Sequence, residues 1–137
     1  GGLAGANTKC NTDSARPDTS KTYQAYLSGG FGSQKSLAAN TTYVNASGQV
    51  IGTTNGSGQL PGSLTNAISA TSSSVWIGGG TSCCTNSNDF ACSSSGGCGL
   101  CTGTAALGSA NSAANWQSNG TLACNLTARL YCYATSD

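Results

Sequence analysis

The sequence predicts one irregular α+β domain with long disulfide-stapled loops. Three observations carry this expectation. The opening segment is Gly- and Ala-rich with helical spacing, short β-prone runs recur through the rest, and five of the eight cysteines fall between residues 83 and 101. At 137 residues the chain fits a single domain, 1–137, which buries roughly 68% of the surface of its unfolded form. The order of elements (helix, strand, hairpin, long loops, central strand, terminal strand) is that of an α+β fold.

LAGANTKCNTDSAR (3–16) sets Leu3, Ala6, Cys10 and Ala15 near one helical face, and Pro17 ends it. TYQAYLS (22–28) alternates Tyr23, Ala25 and Leu27 against Gln24, Tyr26 and Ser28, the pattern of a strand with two distinct faces, and Gly29 and Gly30 stop it. TTYVNASGQVIG predicts two short strands around a turn at Asn45 to Gly48, and TTNGSGQLPGS reads as loop. In SSVWIGGG, Val75 to Ile77 form a compact apolar run that predicts a central buried strand containing Trp76. The closing ARLYCYAT (128–135) alternates Leu130, Cys132 and Ala134 against Arg129, Tyr131 and Tyr133. No internal repeat or linker is expected.

Composition excludes several function classes. Only 7% of residues are charged, and the five basic ones are scattered, so the clustered positive charge that nucleic-acid binding needs is missing. The apolar runs are far shorter than the roughly 20 residues of a membrane helix. The start, with no Met, basic n-region or apolar h-region, reads as a processed product or an excised domain. There is no His and no Glu, and Asp13, Asp18, Asp89 and Asp137 fall singly, so paired acid–base chemistry has no candidates. No Ser has a Gly-x-Ser-x-Gly elbow, and GGFGSQKS lacks the Gly-Lys adjacency of a phosphate loop. The expectation is a protein that is not an enzyme and uses no cofactor.

An even number of cysteines in a low-charge, His-free chain points to disulfides and an extracellular or cell-surface location. Cys98-Gly-Leu-Cys101 has a zinc-knuckle spacing and could join Cys83 or Cys84 and Cys92 in a thiolate site. A thioredoxin-like use would need a βαβ setting with a helix starting at the first Cys, where Gly-rich and Thr-Gly flanks stand instead. Staples are the preferred reading, with no metal.

GGLAGANTKCNTDSA, TYQAYLS, SVWIGG and ANWQSNGTLACNLTARLYCYA, in that order and spacing, resemble the endostatin-like family, which includes leptospiral endostatin-like outer-surface proteins and, more distantly, animal endostatin. The resemblance runs from Gly1 to about Tyr133. It implies a C-type-lectin-like fold used for binding, and a nested disulfide pair, Cys10 with Cys132 and Cys101 with Cys124. The outer bond would join a core-facing helix position to a strand position on the face of Leu130. By chain entropy it would contribute about 5 kcal/mol, and the inner loop about 3.5 kcal/mol. Cys83, Cys84, Cys92 and Cys98 would pair among themselves, in an order left open. The chain departs from animal endostatin in having no His, two Arg and no strand before the opening Gly-Gly, so zinc and heparin binding do not carry over. The sugar-and-calcium motifs of C-type lectins are also absent; one carboxylate, in Asn88-Asp89, supplies little of the roughly 6 to 8 oxygens that calcium takes.

Two functions remain. One is an adhesin-like binding module for a glycan or an extracellular host protein. The other is a structural subunit or oligomerisation cap of a surface fibre, packing against copies of itself. Candidate ligand-binding residues are Asn86, Asn88, Asp89 and Phe90 at the Cys-rich loop, and Asn115, Trp116, Gln117 and Asn119, because an aromatic face beside amides suits sugar rings. Against this, Trp116 reads more readily as core or half-buried, and Phe90 reads equally as a plug beneath its own loop.

Overall fold

A computed structural model describes residues 2–29, 32–78, 104–123 and 126–135. The elements, in order, are α1 (Gly2–Thr12), β1 (Tyr23–Ala25), β2 (Ser28–Gly29), β3 (Gly32–Ser33), β4 (Thr42–Val44), β5 (Val50–Thr53), β6 (Ser74–Trp76), β7 (Thr104–Ser109), β8 (Thr121–Ala123), β9 (Arg129–Leu130) and β10 (Cys132–Ala134). Among the described residues, one helix with several small sheets makes a mixed α+β arrangement.

The helix begins as expected and ends sooner. Its last turn closes on the Asp13 N–H bond to Lys9 O at 3.0 Å. The Asp13 carboxylate then accepts the Ala15 N–H at 2.8 Å, an Asx turn that leads the chain away before Pro17 is reached. Ala6 and Cys10 are buried and Leu3 packs beside them, while Ala15 is exposed.

The four-stranded sheet has the order β8-β7-β6-β9, so β6 is interior as the VWI run predicts, antiparallel to β7 and parallel to β9. The terminal segment is two strands where one was expected. Leu130 pairs with Trp76, Tyr131 O accepts the Tyr26 N–H at 2.8 Å, and Cys132–Ala134 crosses to pair antiparallel with β1. This handover closes the two ends of the domain on each other, and the Cys10–Cys132 disulfide, with Cα atoms 5.7 Å apart, ties α1 to the same strand.

Two cores lie on opposite sides of the shared strands. On one side Ala6 and Cys10 of α1 pack with Tyr23, Ala25, Leu27, Trp76, Ala105 and Leu107. On the other side Tyr26, Val75, Ile77, Trp116 and Tyr131 pack with Leu37, Ile51, Leu64 and Ala110. The alternation read from β1 and from the terminal segment therefore sorts side chains between two buried layers, with Tyr131 buried and Tyr133 packed against the second.

Among the described residues no strand lies beside the outer edge of β1. Side-chain amides take that place. Asn11 accepts the Tyr23 N–H at 2.9 Å and donates to Tyr23 O at 2.6 Å. Asn7 accepts the Ala25 N–H at 2.9 Å and forms a reciprocal amide pair with Gln34, whose Nε2 also reaches Ala25 O. One turn apart on α1, Asn7 and Asn11 present the donor–acceptor pattern of a neighbouring strand, which satisfies groups that burial would otherwise leave unpaired.

The β4–β5 hairpin forms as predicted, with Thr42 opposite Thr53 and Val44 opposite Val50. An internal repeat does exist, contrary to expectation. Asn-x-Ser-Gly-Gln occurs at 45–49 and again at 55–59, and both copies fold alike. In each, the Asn Oδ1 accepts two backbone N–H groups, from Ser47 and Gln49 or from Ser57 and Gln59. Each Gly adopts a positive φ, 81° at Gly48 and 72° at Gly58. A short polar turn word is thus used twice, once at each end of β5.

Candidate functional site

The segment between β7 and β8, residues 110–120, holds four of the expected ligand-binding residues. Its path is set by backbone bonds at both ends. Ser109 N–H meets Asn115 O at 3.0 Å, Asn119 N–H meets Leu107 O at 2.8 Å, and Leu107 N–H meets Gly120 O at 3.0 Å. Leu64 N–H bonds Ala113 O and Ser69 N–H bonds Ala110 O, so the loop is also held from the side.

Trp116 anchors it. Its indole is among the largest fully buried side chains, 1% exposed, tilted against Tyr26 and Tyr131 with ring centroids 5.4 and 6.2 Å away. The indole N–H donates to Pro61 O at 3.1 Å. The Trp116 carbonyl accepts the Tyr131 hydroxyl at 2.8 Å, and it lies so close to Gly108 that a Cβ there would sit 1.8 Å from the Trp116 oxygen. The expectation that Trp116 offers an aromatic face to a sugar is therefore corrected: the ring is buried and its polar edge is bonded within the core. Burial pushes the Tyr131 phenol far above its ordinary pKa, and raises Tyr26 and Tyr133 as well.

Around that anchor the amides are unspent. Asn115 and Asn119 are exposed and Gln117 is half-buried, and none of their side chains hydrogen-bonds another group. Other described amides are consumed by the fold: Asn7, Asn11 and Gln34 along β1, Asn45 with Gln49 and Asn55 with Gln59 in the twin turns, Asn66 on Val50 O, Gln24 on the Tyr133 hydroxyl, and Asn111, in the same loop, on the Ser109 hydroxyl. Among the described residues only Asn40 joins the unspent group. A clamped backbone carrying free amides can exchange hydrogen bonds with a hydroxylated or peptide ligand at little ordering cost.

Asn86, Asn88, Asp89 and Phe90, and with them Cys83, Cys84, Cys92, Cys98, Cys101 and Cys124, lie outside the described residues. The described carboxylates serve turns: Asp13 accepts the Ala15 N–H just after α1, and Asp18 accepts the Ser20 hydroxyl and N–H, bonds that lower its pKa. Among the described residues there is no cluster of three or more His, Cys, Asp or Glu that could hold a metal ion, and no helix long and apolar enough to cross a membrane. Comparison with family models, curated proteins and solved structures finds no match to this chain. Sequence reasoning missed the division of the amides into spent and unspent sets. The signals available for it were the i, i+4 spacing of Asn7 and Asn11 and the repeated turn word.

Proposed function

We propose that the protein is a non-catalytic, extracellular or cell-surface binding module of C-type-lectin-like fold, akin to the endostatin-like domains its sequence words resemble, and that it recognises a glycan or an extracellular protein. The observation that carries this reading is the set of unspent amides at Asn115, Gln117 and Asn119 on a backbone fixed by buried Trp116. The pairing of the first strand with the last, clamped by Cys10–Cys132, is compatible with the proposed fold. Recognition at this loop would be by hydrogen bonding to hydroxyls or peptide groups without stacking on Trp116. The test is the variant Asn115→Ala/Gln117→Ala/Asn119→Ala, shown by its Tm to be folded, on a glycan and matrix-protein array beside the unaltered protein. Signals seen with the native protein should disappear; their survival at full strength moves the site elsewhere.

A second reading, the fibre subunit that packs against its own copies, has an observation of its own. Val44 and Val50 are cross-strand partners and are 56% and 44% exposed, an apolar pair on the outer face of the hairpin beside the Thr42–Thr53 hydroxyl contact. Such a pair in a nearly uncharged surface suits self-association. If this reading holds, light scattering gives a mass above that of one chain, and Val44→Lys returns it to the monomer. A monomer at high concentration removes the reading.

A further inference from the structure

Two Asn-Gly pairs occur in the chain, Asn55-Gly56 and Asn119-Gly120, and the fold treats them in opposite ways. At Asn55 the side chain is locked: Oδ1 accepts the Ser57 and Gln59 N–H groups at 2.9 and 3.0 Å, and Nδ2 faces Gln59 Oε1. At Asn119 the side chain is exposed and makes no hydrogen bond. Gly120 follows with φ 81° and open space on its Cα, so no Cβ obstructs approach to the Gly120 nitrogen, and that nitrogen donates no backbone hydrogen bond.

We propose that Asn119-Gly120 is a self-modifying site, at which the amide side chain is converted spontaneously to a carboxylate in the folded protein. The Gly120 nitrogen gives up its proton to water and attacks Asn119 Cγ. A new N–Cγ bond closes a five-membered imide, the Cγ–Nδ2 bond breaks, and Nδ2 leaves as ammonia. Water then adds to one of the two imide carbonyls. Opening at Cγ yields aspartate; opening at the main-chain carbonyl yields isoaspartate, with the chain now running through Cγ. The sum is one water consumed and one ammonia released, with no oxidant or reductant.

The position of the site gives the change a structural consequence. Asn119 N–H and Gly120 O hold Leu107 O and N–H between them. Isoaspartate lengthens the main chain by one carbon between those two bonds, so both cannot keep their geometry, whereas aspartate leaves them intact. The formal charge of the chain also falls from +1 to zero. The conversion proceeds whether or not the loop binds a ligand.

The experiment incubates the intact, oxidised protein in mildly alkaline buffer made with oxygen-18 water, then maps label and isoaspartate by peptide mass spectrometry. Label should enter at Asn119 at least about tenfold faster than at Asn55, the ratio set by releasing the extra hydrogen bonds of Asn55. In the reduced, urea-unfolded chain the two rates should converge, because the protection at Asn55 belongs to the fold. Asn119→Gln should remove the fast phase, and the isoaspartyl form should show faster hydrogen exchange at the Leu107 amide. Equal rates at the two sites in the folded protein, or a fast phase that survives Asn119→Gln, would overturn the proposal.

Discussion

The Tyr131 hydroxyl donates to the Trp116 carbonyl at 2.8 Å, and both residues are buried. This bond joins the crossover between β9 and β10 to the centre of the loop that carries the unspent amides. Removing it with Tyr131→Phe keeps the ring packing against Trp116 and leaves a buried carbonyl without its donor, at a cost of about 1–3 kcal/mol. Urea unfolding should report that loss, and hydrogen exchange should place increased opening at residues 109 and 119, whose amides bond across the same loop. A loss confined to the terminal strand would mean that the loop is held without Tyr131.

The same burial predicts how stability changes in alkali. Tyr131, Tyr26 and Tyr133 all have pKa values raised by desolvation of the phenolate. Below the unfolded value of about 10 both states are neutral and the stability is fully present. Above it the unfolded chain loses protons that the folded chain retains, so unfolding becomes easier as pH rises, by up to about 1.4 kcal/mol per pH unit for each fully protected phenol. The Tm should hold level to about pH 10 and then fall, and Tyr131→Phe, although less stable at neutral pH, should lose less on further alkalinisation. Equal slopes would show that Tyr131 is not a principal contributor.

Asn11 gives a sharper test of the amide edge along β1. Its Nδ2 donates to both Tyr23 O and Asn7 O, so Asn11→Asp, identical in shape, sets a carboxylate oxygen against two carbonyls. The expected loss is about 2 kcal/mol near neutral pH, diminishing in acid as the carboxyl becomes protonated and can donate again. Asn115→Asp, at an exposed amide with no partner, should stay within about 0.5 kcal/mol. Similar effects at the two positions would mean that the Asn11 bonds contribute little.

Glycines separate in the same way. Gly108→Ala would bring a Cβ 1.8 Å from the Trp116 oxygen, and because that contact is backbone to backbone, the loop or β7 must move, costing about 3 kcal/mol. Gly120 has open space but a φ of 81°, so Gly120→Ala bears only the left-handed backbone penalty of about 1–2 kcal/mol. Thermal unfolding of the two variants should keep that order.

Much of this arrangement was legible because aromatic and β-branched residues announce their faces. Tyr23, Ala25 and Leu27 against Tyr26, and Leu130 and Ala134 against Tyr131 and Tyr133, sort correctly from alternation alone, and VWI marks an interior strand by its unbroken apolar run. β7 was not legible. Thr104–Ser109 reads TAALGS, weak in intrinsic β preference, and it is a strand because β6 and β8 pair on either side of it. Nor does alternation reveal that the terminal run changes partners at Tyr131, since its side-chain pattern continues unbroken through the switch. At the candidate site the amides were visible as residue types, but whether an amide is spent or free depends on partners distant in sequence, such as Gln34 for Asn7. Trp116 illustrates the same limit, since only the fold distinguishes an indole against Pro61 O from one facing solvent.

The Cys10–Cys132 bond should matter more than any crosslink within Cys83 to Cys98. It spans 122 residues, so its removal releases the largest loop, with a chain-entropy contribution of about 5 kcal/mol and a commonly measured range of about 2–4 kcal/mol. Its location compounds the effect. Cys10, on α1, is 1% exposed, and Cys132 pairs with Ala25 on β1, whose other edge is covered by Asn7 and Asn11 of the same helix. Once the bond is lost, α1 is held by its amide contacts and a small apolar face, and its departure would uncover the Tyr23 and Ala25 backbone groups together. Cys10→Ala/Cys132→Ala should therefore lower the Tm of the whole domain and speed exchange at the Tyr23 and Ala25 amides, while Cys83→Ser or Cys98→Ser should leave those amides protected. If the two classes of variant lose the same stability, the Cys-rich segment supports the core as much as the terminal clamp does.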